Sequence, residues 1–224
     1  SAYIAGAKRG GEFMVLAQMP EPQPAWAQQY NQNMEPAWAR RFEPPSISGG
    51  ESFGVMQTLI DLYLETGEER FLEPVPRALA WASRSVLPDG RLARFYELGT
   101  NRPLFFTRNY ELIYSDADLP THYAFKVSGS GIQRIQADYE RIQKEGREAV
   151  LAKRREQSAR PISRANRVQV QNTIRSLDAQ GRWVETGTLL DPENGENRDR
   201  VEVISCRTFN RNLTQLARFV AATK

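Results

Sequence analysis

Between Trp38 and Asn109 the chain concentrates side chains that suit one kind of ligand. Trp38, Arg40, Arg41 and Glu43 stand close together, the glycine pair Gly49 and Gly50 follows, and Arg94, Tyr96, Arg102 and Arg108 come later. Indole and phenol rings stack on pyranose faces, and guanidinium forks meet carboxylates through paired hydrogen bonds. Such a set suits an anionic sugar. The same residues have a second reading, in which the rings belong to a core and the arginines to a solvated face. Their spacing does not separate the two.

The segment "FEPPSISGGES" (42–52) joins the two halves of this set. Ser48 and Glu51 are three apart, so the serine hydroxyl can take the Glu51 amide while the Glu51 carboxylate returns to the Ser48 amide, a capping box. Pro44 and Pro45 hold the approach extended. Gly49 and Gly50 would leave helix-N-terminal amides open to an anion, with Arg40 and Arg41 just upstream. The capping box accounts for the local chemistry without a ligand, and anion binding by the glycine amides is the secondary reading.

Composition narrows the chemistry. The 224 residues are 40% hydrophobic and 25% charged, in the range of a globular domain with a real core. Thirty basic and twenty-seven acidic residues leave a formal charge of +3, which does not demand a polyanion; neither a nucleic-acid nor a membrane partner is expected, and the chain is expected to be a monomer. A single cysteine, Cys206, excludes an intrachain disulfide and reads as a small buried hydrophobe. A single histidine, His122, must carry any Ser-His-Asp or Cys-His catalysis, and reads instead as a turn hydrogen-bonder. The chain opens on Ser1 with no leader pattern, as expected of a processed chain or one cut from something longer.

The elements that must position these residues are mainly helical. A helix over 3–17 is rich in small residues, and "MPEPQPAW" ends it. A second runs from Glu51 to about Thr66 with Val55, Leu59, Leu62 and Tyr63 inward and Gly67 as its C-cap. A third, about Pro76 to Val86, turns Ala78, Leu79, Ala82 and Val86 inward, making a helical hairpin with the second. "PDG" turns into "RLARFYEL", which alternates with a period of two; "LFF" and "YELIYS" extend again, giving a small antiparallel ribbon. A helix from Ile132 to about Gln157 reads as a long solvated arm. "RWVETGTLL" and "RVEVISCRTF" pair across the charged loop "DPENGENRDR", and a helix over 212–222 closes the chain.

Two long blocks carry a resemblance. "EPAWARRFEPPSISGGES" and "LPDGRLARFYELGTNRPLFFTRN", supported by "MPEPQPAWAQQYN" and "DLPTHYAFKV", resemble the pectic acid lyases of the tenth polysaccharide lyase family, in a form associated with planctomycete-type bacteria. The resemblance runs from Ala17 to Val127; beyond Gly131 nothing is recognised. It implies an α/α toroid of helical hairpins, here partial, with a small antiparallel β ribbon. The expected division is a toroid part over 1–127 and a helical extension of unrecognised type over 128–224.

The activity implied is calcium-assisted β-elimination of polygalacturonate, secreted or periplasmic, in which calcium bridges protein carboxylates and the substrate uronate and an arginine takes the C5 proton. The motif places that base at Arg108, a substrate-binding arginine at Arg94 and a further one at Arg40, with Arg102, Trp38 and Tyr96 beside them. A guanidinium stays protonated past about pH 12, so desolvation, Arg94, Arg102 and calcium would have to act together on Arg108. Without that, Arg108 would still neutralise the uronate carboxylate and stabilise an enolate-like intermediate.

The departure from the family is its earlier half. Members carry calcium-binding aspartates there, and no such region precedes Ser1, so the expectation is the C-terminal portion of a longer lyase, with low activity or none by itself. Glu43 is the remaining candidate calcium ligand, since Glu51 is the capping partner. The alternatives are a non-catalytic carbohydrate-binding or structural relative and, more remotely, a helical protein-interaction module.

Overall fold

The computed structural model describes residues 2–158, 164–190 and 197–223. The protein is mainly α, with small antiparallel sheets. Its chain divides into two compact units, Ser1–Val150 and Leu151–Lys224.

In the first unit, α1 (Ala2–Leu16) and α2 (Glu51–Thr66) pack together, and Gly11 is the reason they can. A Cβ at Gly11 would come within 2.5 Å of Leu62 Cδ1 and 2.6 Å of Phe71 Cε1. Helix α2 ends at Gly67, whose φ of 74° is the left-handed conformation glycine adopts without a Cβ penalty, and its amide closes on the Tyr63 carbonyl at 2.7 Å. A 3-10 turn (Glu69–Phe71) leads into α3 (Pro74–Arg84), which starts two residues earlier than the sequence suggests because Pro74 occupies a first-turn position. The buried faces are wider than the expected stripes. Helix α2 buries Phe53, Met56, Leu59, Ile60, Tyr63 and Leu64, with Val55 and Leu62 only half-buried; α3 buries Trp81, whereas Val86 is exposed.

The ribbon is two sheets. β1 (Ile47–Ser48), β3 (Phe95–Tyr96), β4 (Pro103–Phe106) and β5 (Leu112–Ile113) form one antiparallel sheet; β2 (Arg91–Ala93) pairs instead with β6 (Lys126–Ser128). The alternating segment "RLARFYEL" is thus split at Arg94 between partners on opposite sides. Leu92, Ala93, Phe95 and Tyr96 are all buried, so the period of two did not mark a wet face.

The expected solvated arm is not one helix. α4 (Ser130–Glu145) breaks at Gly146, with φ 83° and ψ 156°, before α5 (Arg147–Ser158). Helix α4 packs on α2 and α3 through Ile132, Ile135 and Ile142, and Gly131 lies against Phe53, whose ring a Cβ would meet at 2.7 Å.

In the second unit α6 (Arg164–Arg175) packs on α7 (Cys206–Thr223), and β7 (Glu185–Leu190) pairs antiparallel with β8 (Asn197–Val203). Residues 191–196 of the charged loop lie outside the described residues. Helix α6 was not expected from the sequence, and α7 begins six residues before the expected start. Trp183 anchors this unit: its Nε1 donates to the Thr173 carbonyl at 2.8 Å and its ring meets Phe209 edge-on at 5.9 Å. Among the described residues no helix is long and apolar enough to cross a membrane.

Candidate functional site

The site is built where β1 turns into α2. The Gly49 amide donates to the Arg94 carbonyl at 3.0 Å, and the Arg94 amide donates to the Phe125 carbonyl at 2.8 Å. The backbone of Arg94 is therefore held from both sides at the point where β2 gives way to β3. A Cβ on Gly49 would lie 2.2 Å from the Ala93 carbonyl oxygen, so only glycine permits this approach.

The Arg94 side chain is fixed as firmly. Its Nε donates to the Ala124 carbonyl at 2.6 Å and its Nη1 to Glu51 Oε1 at 2.6 Å, and its guanidinium carbon lies 5.0 Å from the centre of the Tyr123 ring. Glu51 is positioned in turn by the Ser48 hydroxyl, which donates to its other oxygen. Half of the capping box is present: Ser48 Oγ accepts the Gly50 and Glu51 amides, each at 3.2 Å. The reciprocal bond is replaced, because the Ser48 amide donates to the Trp26 carbonyl at 2.7 Å and the Glu51 carboxylate faces Arg94. Both glycine amides are thus occupied, and neither presents the open anion site considered from the sequence.

Arg40 approaches the same tyrosine from the loop before β1. A tight turn, closed by Glu43 N–H to the Arg40 carbonyl at 2.9 Å, brings the two side chains together. Arg40 donates to Glu43 through Nε at 2.9 Å, through Nη2 and through its backbone amide at 3.1 Å. Its guanidinium carbon lies 5.1 Å from the Tyr123 ring centre and 5.0 Å from that of Phe42. Phe42 is the hub of an aromatic cluster, stacked on Tyr110 at 5.5 Å and meeting Tyr123 at 4.8 Å and Phe125 at 6.3 Å. Arg41 lies over the Tyr110 ring at 5.2 Å.

Electrostatics follow the contacts. The Arg40 guanidinium, bonded to Glu43, holds its carboxyl at about 2 against an ordinary 4.5, and the carboxylate raises Arg40 in return. Burial raises the Tyr123 hydroxyl and takes that of Tyr96 up to about 12.

The remaining expected site residues have other partners. Trp38 stands 55% exposed, its ring edge-on to Phe106 at 6.4 Å. Arg102 lies over the exposed Tyr114 ring at 3.5 Å, and Tyr114 donates to Glu97 at 2.5 Å. Arg108 is 72% exposed and pairs with Asp118 at 3.2 Å, so the expected desolvation is missing and its neighbour is an anion. Tyr96 is a correction: it is fully buried, its hydroxyl accepting the Ala93 amide at 2.9 Å and donating to the Ser85 carbonyl at 2.5 Å, and it offers no ring to a ligand. His122 contacts Tyr110 at 3.4 Å and the Phe42 ring edge-on at 5.3 Å. Cys206 is exposed, not a buried hydrophobe.

Glu43 does not fit calcium. Its side chain is 3% exposed, and its oxygens accept Arg40, Gln28 and Tyr123, leaving no open face toward a cation. Among the described residues no three His, Cys, Asp or Glu side chains gather into a metal site.

Residues 3–92 match the family model of the pectic acid lyases. That stretch is similar to the pectic acid lyases. Two solved structures also align: the family 10 polysaccharide lyase of Cellvibrio cellulosa, 23% identical over 62% of this chain and 50% of that one, with a TM-score of 0.48, and a mutant of it in complex with trigalacturonic acid, 24% identical over 61% and 49%, with the same score. The chain spans about half the length of these structures. No curated protein matches it.

The matched stretch contains Trp38, Arg40, Glu43 and the Ser48–Glu51 turn, while Arg94, Arg102, Arg108 and Tyr123 follow it. Two residues of the site are not singled out by the sequence. Tyr123 lies in the segment "PTHYAF", where the lone histidine is the more conspicuous side chain. Gln28 lies in "AWAQQYN", fifteen residues from its partner Glu43, and nothing local marks the pairing.

Proposed function

We propose that the protein acts on polygalacturonate or a related acidic polysaccharide as a pectate-lyase-like protein, within a partial α/α toroid. The observation that carries this reading is the pair Arg40 and Arg94, both fixed by carboxylates and both set against the ring of Tyr123. Two oriented guanidinium groups set against one aromatic ring suit a chain that repeats a ring and a carboxylate. The match of residues 3–92 to the pectic acid lyases supports the same reading.

The reaction proposed is β-elimination. The C5 proton of a uronate leaves to a base, its electron pair forms the C4–C5 double bond, and the C4 glycosidic oxygen departs and gains a proton. Guanidinium groups on the uronate carboxylate would stabilise the enolate-like intermediate, where charge develops. Arg108 is the proton-abstracting group on the resemblance alone. Calcium is likewise implied by the resemblance; among the described residues no three His, Cys, Asp or Glu side chains gather to hold it. A secreted or periplasmic location belongs to the same proposal.

A second reading has its own observation. Arg108 is exposed and its guanidinium is already paired with the Asp118 carboxylate, which suits binding without turnover. Incubation with polygalacturonate, with and without EDTA, decides between the two. The lyase reading expects ultraviolet absorbance from the 4,5-unsaturated product. Binding without product favours the carbohydrate-binding relative, and the absence of both product and binding ends both readings.

A further inference from the structure

Among the described residues Glu43 is a buried acid, its side chain only 3% exposed in a loop segment. A buried carboxylate is costly unless its lone pairs are filled. Here they are filled by donors from three separate parts of the chain. Oε2 accepts Arg40 Nε at 2.9 Å and the Arg40 amide at 3.1 Å; Oε1 accepts Arg40 Nη2, Gln28 Nε2 and the Tyr123 hydroxyl, the last at 3.1 Å. The single Tyr123 hydroxyl proton is shared with Gln28 Oε1 at 3.3 Å, so Tyr123 and Gln28 are linked to one another as well.

The consequence is geometric. Glu43 occupies the Nε–Nη2 edge of Arg40, and the Arg40 side chain is nevertheless 61% exposed. The outward part of the guanidinium is therefore presented in one orientation, while the hydroxyl end of Tyr123 is tied to the same carboxylate. The ring face against which Arg94 lies is fixed by the same contact. One buried anion thus sets the relative placement of Arg40 and the Tyr123 ring.

We propose that Glu43 is the positioning residue of this site: it holds Arg40 and Tyr123 in the geometry that receives a uronate carboxylate and its ring. The proposal rests on the reading of the protein as a binder of acidic polysaccharide, and deepens it. Glu43 itself touches no substrate and is not catalytic.

A double-mutant cycle on ligand affinity tests it, read by calorimetric titration with oligogalacturonate against the full chain. Glu43→Gln is expected to weaken binding about tenfold or more, the scale of removing one charge-assisted hydrogen bond from Arg40. In an Arg40→Ala background the same substitution is expected to change affinity by less than about twofold, because Arg40 is gone and Gln28 still holds the Tyr123 hydroxyl. A second readout needs no ligand. The Arg40 Nε–H signal in a nitrogen-correlated spectrum is expected to be protected from exchange in the parent protein and unprotected in Glu43→Gln. If Glu43→Gln does not fold, Glu43→Asp, which keeps the charge but shortens the reach, is expected to show the same pattern. An unchanged affinity, or an equal loss in both backgrounds, overturns the positioning role while leaving the polysaccharide reading intact. A parent protein that does not bind oligogalacturonate overturns the reading and, with it, this proposal.

Discussion

Arg40 and Arg94 lie against the same ring, Tyr123, at 5.1 and 5.0 Å, although they are more than fifty residues apart in sequence. Each has its own carboxylate, Glu43 for one and Glu51 for the other. This arrangement turns two separate cations into a directed pair. Free arginines would lose side-chain entropy on taking a ligand; these have lost most of it on folding.

Arg94 gives the first expected outcome. Lysine there keeps the charge but cannot donate at once to Ala124 and Glu51 while lying flat on Tyr123, because those contacts use the planar fork. Arg94→Lys should therefore weaken oligogalacturonate binding about tenfold, and Arg94→Ala more, measured by calorimetric titration. Equal affinity in Arg94→Lys and the parent would show that only charge matters.

Two glycines around α2 should respond with opposite sign. Gly49→Ala places a methyl 2.2 Å from the Ala93 carbonyl oxygen, which is backbone and cannot swing aside, so a loss of about 1–3 kcal/mol is expected. Gly54 lies on the exposed side of α2 with nothing within 4 Å of a Cβ, and Gly54→Ala should raise stability by about 0.5–1 kcal/mol through helix propensity. Denaturant unfolding of both variants reads the two shifts.

How much of this was legible depends on whether the signal is local. Helix α2 was, because its apolar positions recur at helical spacing and Gly67 stops it where expected. The helical hairpin was legible for the same reason, and the β7–β8 pairing because two extended segments flank one charged loop. The strand period at 91–98 was real yet misleading, since the chain changes partners at Arg94 and Leu92, Ala93, Phe95 and Tyr96 are all buried. Tyr96 followed from that error: an aromatic read as a surface platform is a core residue. The break at Gly146 hides in sequence because glycine is tolerated in helices and only its φ of 83° declares the stop. At the site the arginines were legible by type, but the ring that unites them and the buried acid that holds one of them depend on long-range packing that no spacing encodes.

Glu43 also predicts a pH dependence. Its carboxyl titrates near 2 in the folded protein against an ordinary 4.5, because Arg40 bonds to the charged form. A depressed carboxyl contributes stability that is complete above about 4.5 and lost as pH falls toward about 2. Glu43→Gln lacks this contribution. Its deficit against the parent, read by unfolding at successive pH, should therefore be constant above about 4.5 and shrink across that window. A deficit that grows on acidification would contradict the assignment. Asp89 and Asp116, lowered by Arg91 and Lys126, slope in the same direction in both proteins and cancel in the difference.

Trp38 and Tyr96 should come apart in opposite ways. Trp38 is half-exposed, its ring touching Phe106 only edge-on, so Trp38→Ala removes little buried area and should leave the thermal midpoint nearly unchanged. If it serves as the platform for a sugar face, its removal should weaken oligogalacturonate binding by about 0.5–1.5 kcal/mol, the range for a stacked aromatic. Tyr96→Phe does the reverse. It strips the partner from the buried Ala93 amide and the Ser85 carbonyl, each left without water, which costs about 1–3 kcal/mol of stability. Its effect on binding should be small, because the hydroxyl lies in the core. Unfolding and titration on the same two variants would separate platform from core, and a stability loss in Trp38→Ala without any change in affinity would remove Trp38 from the site.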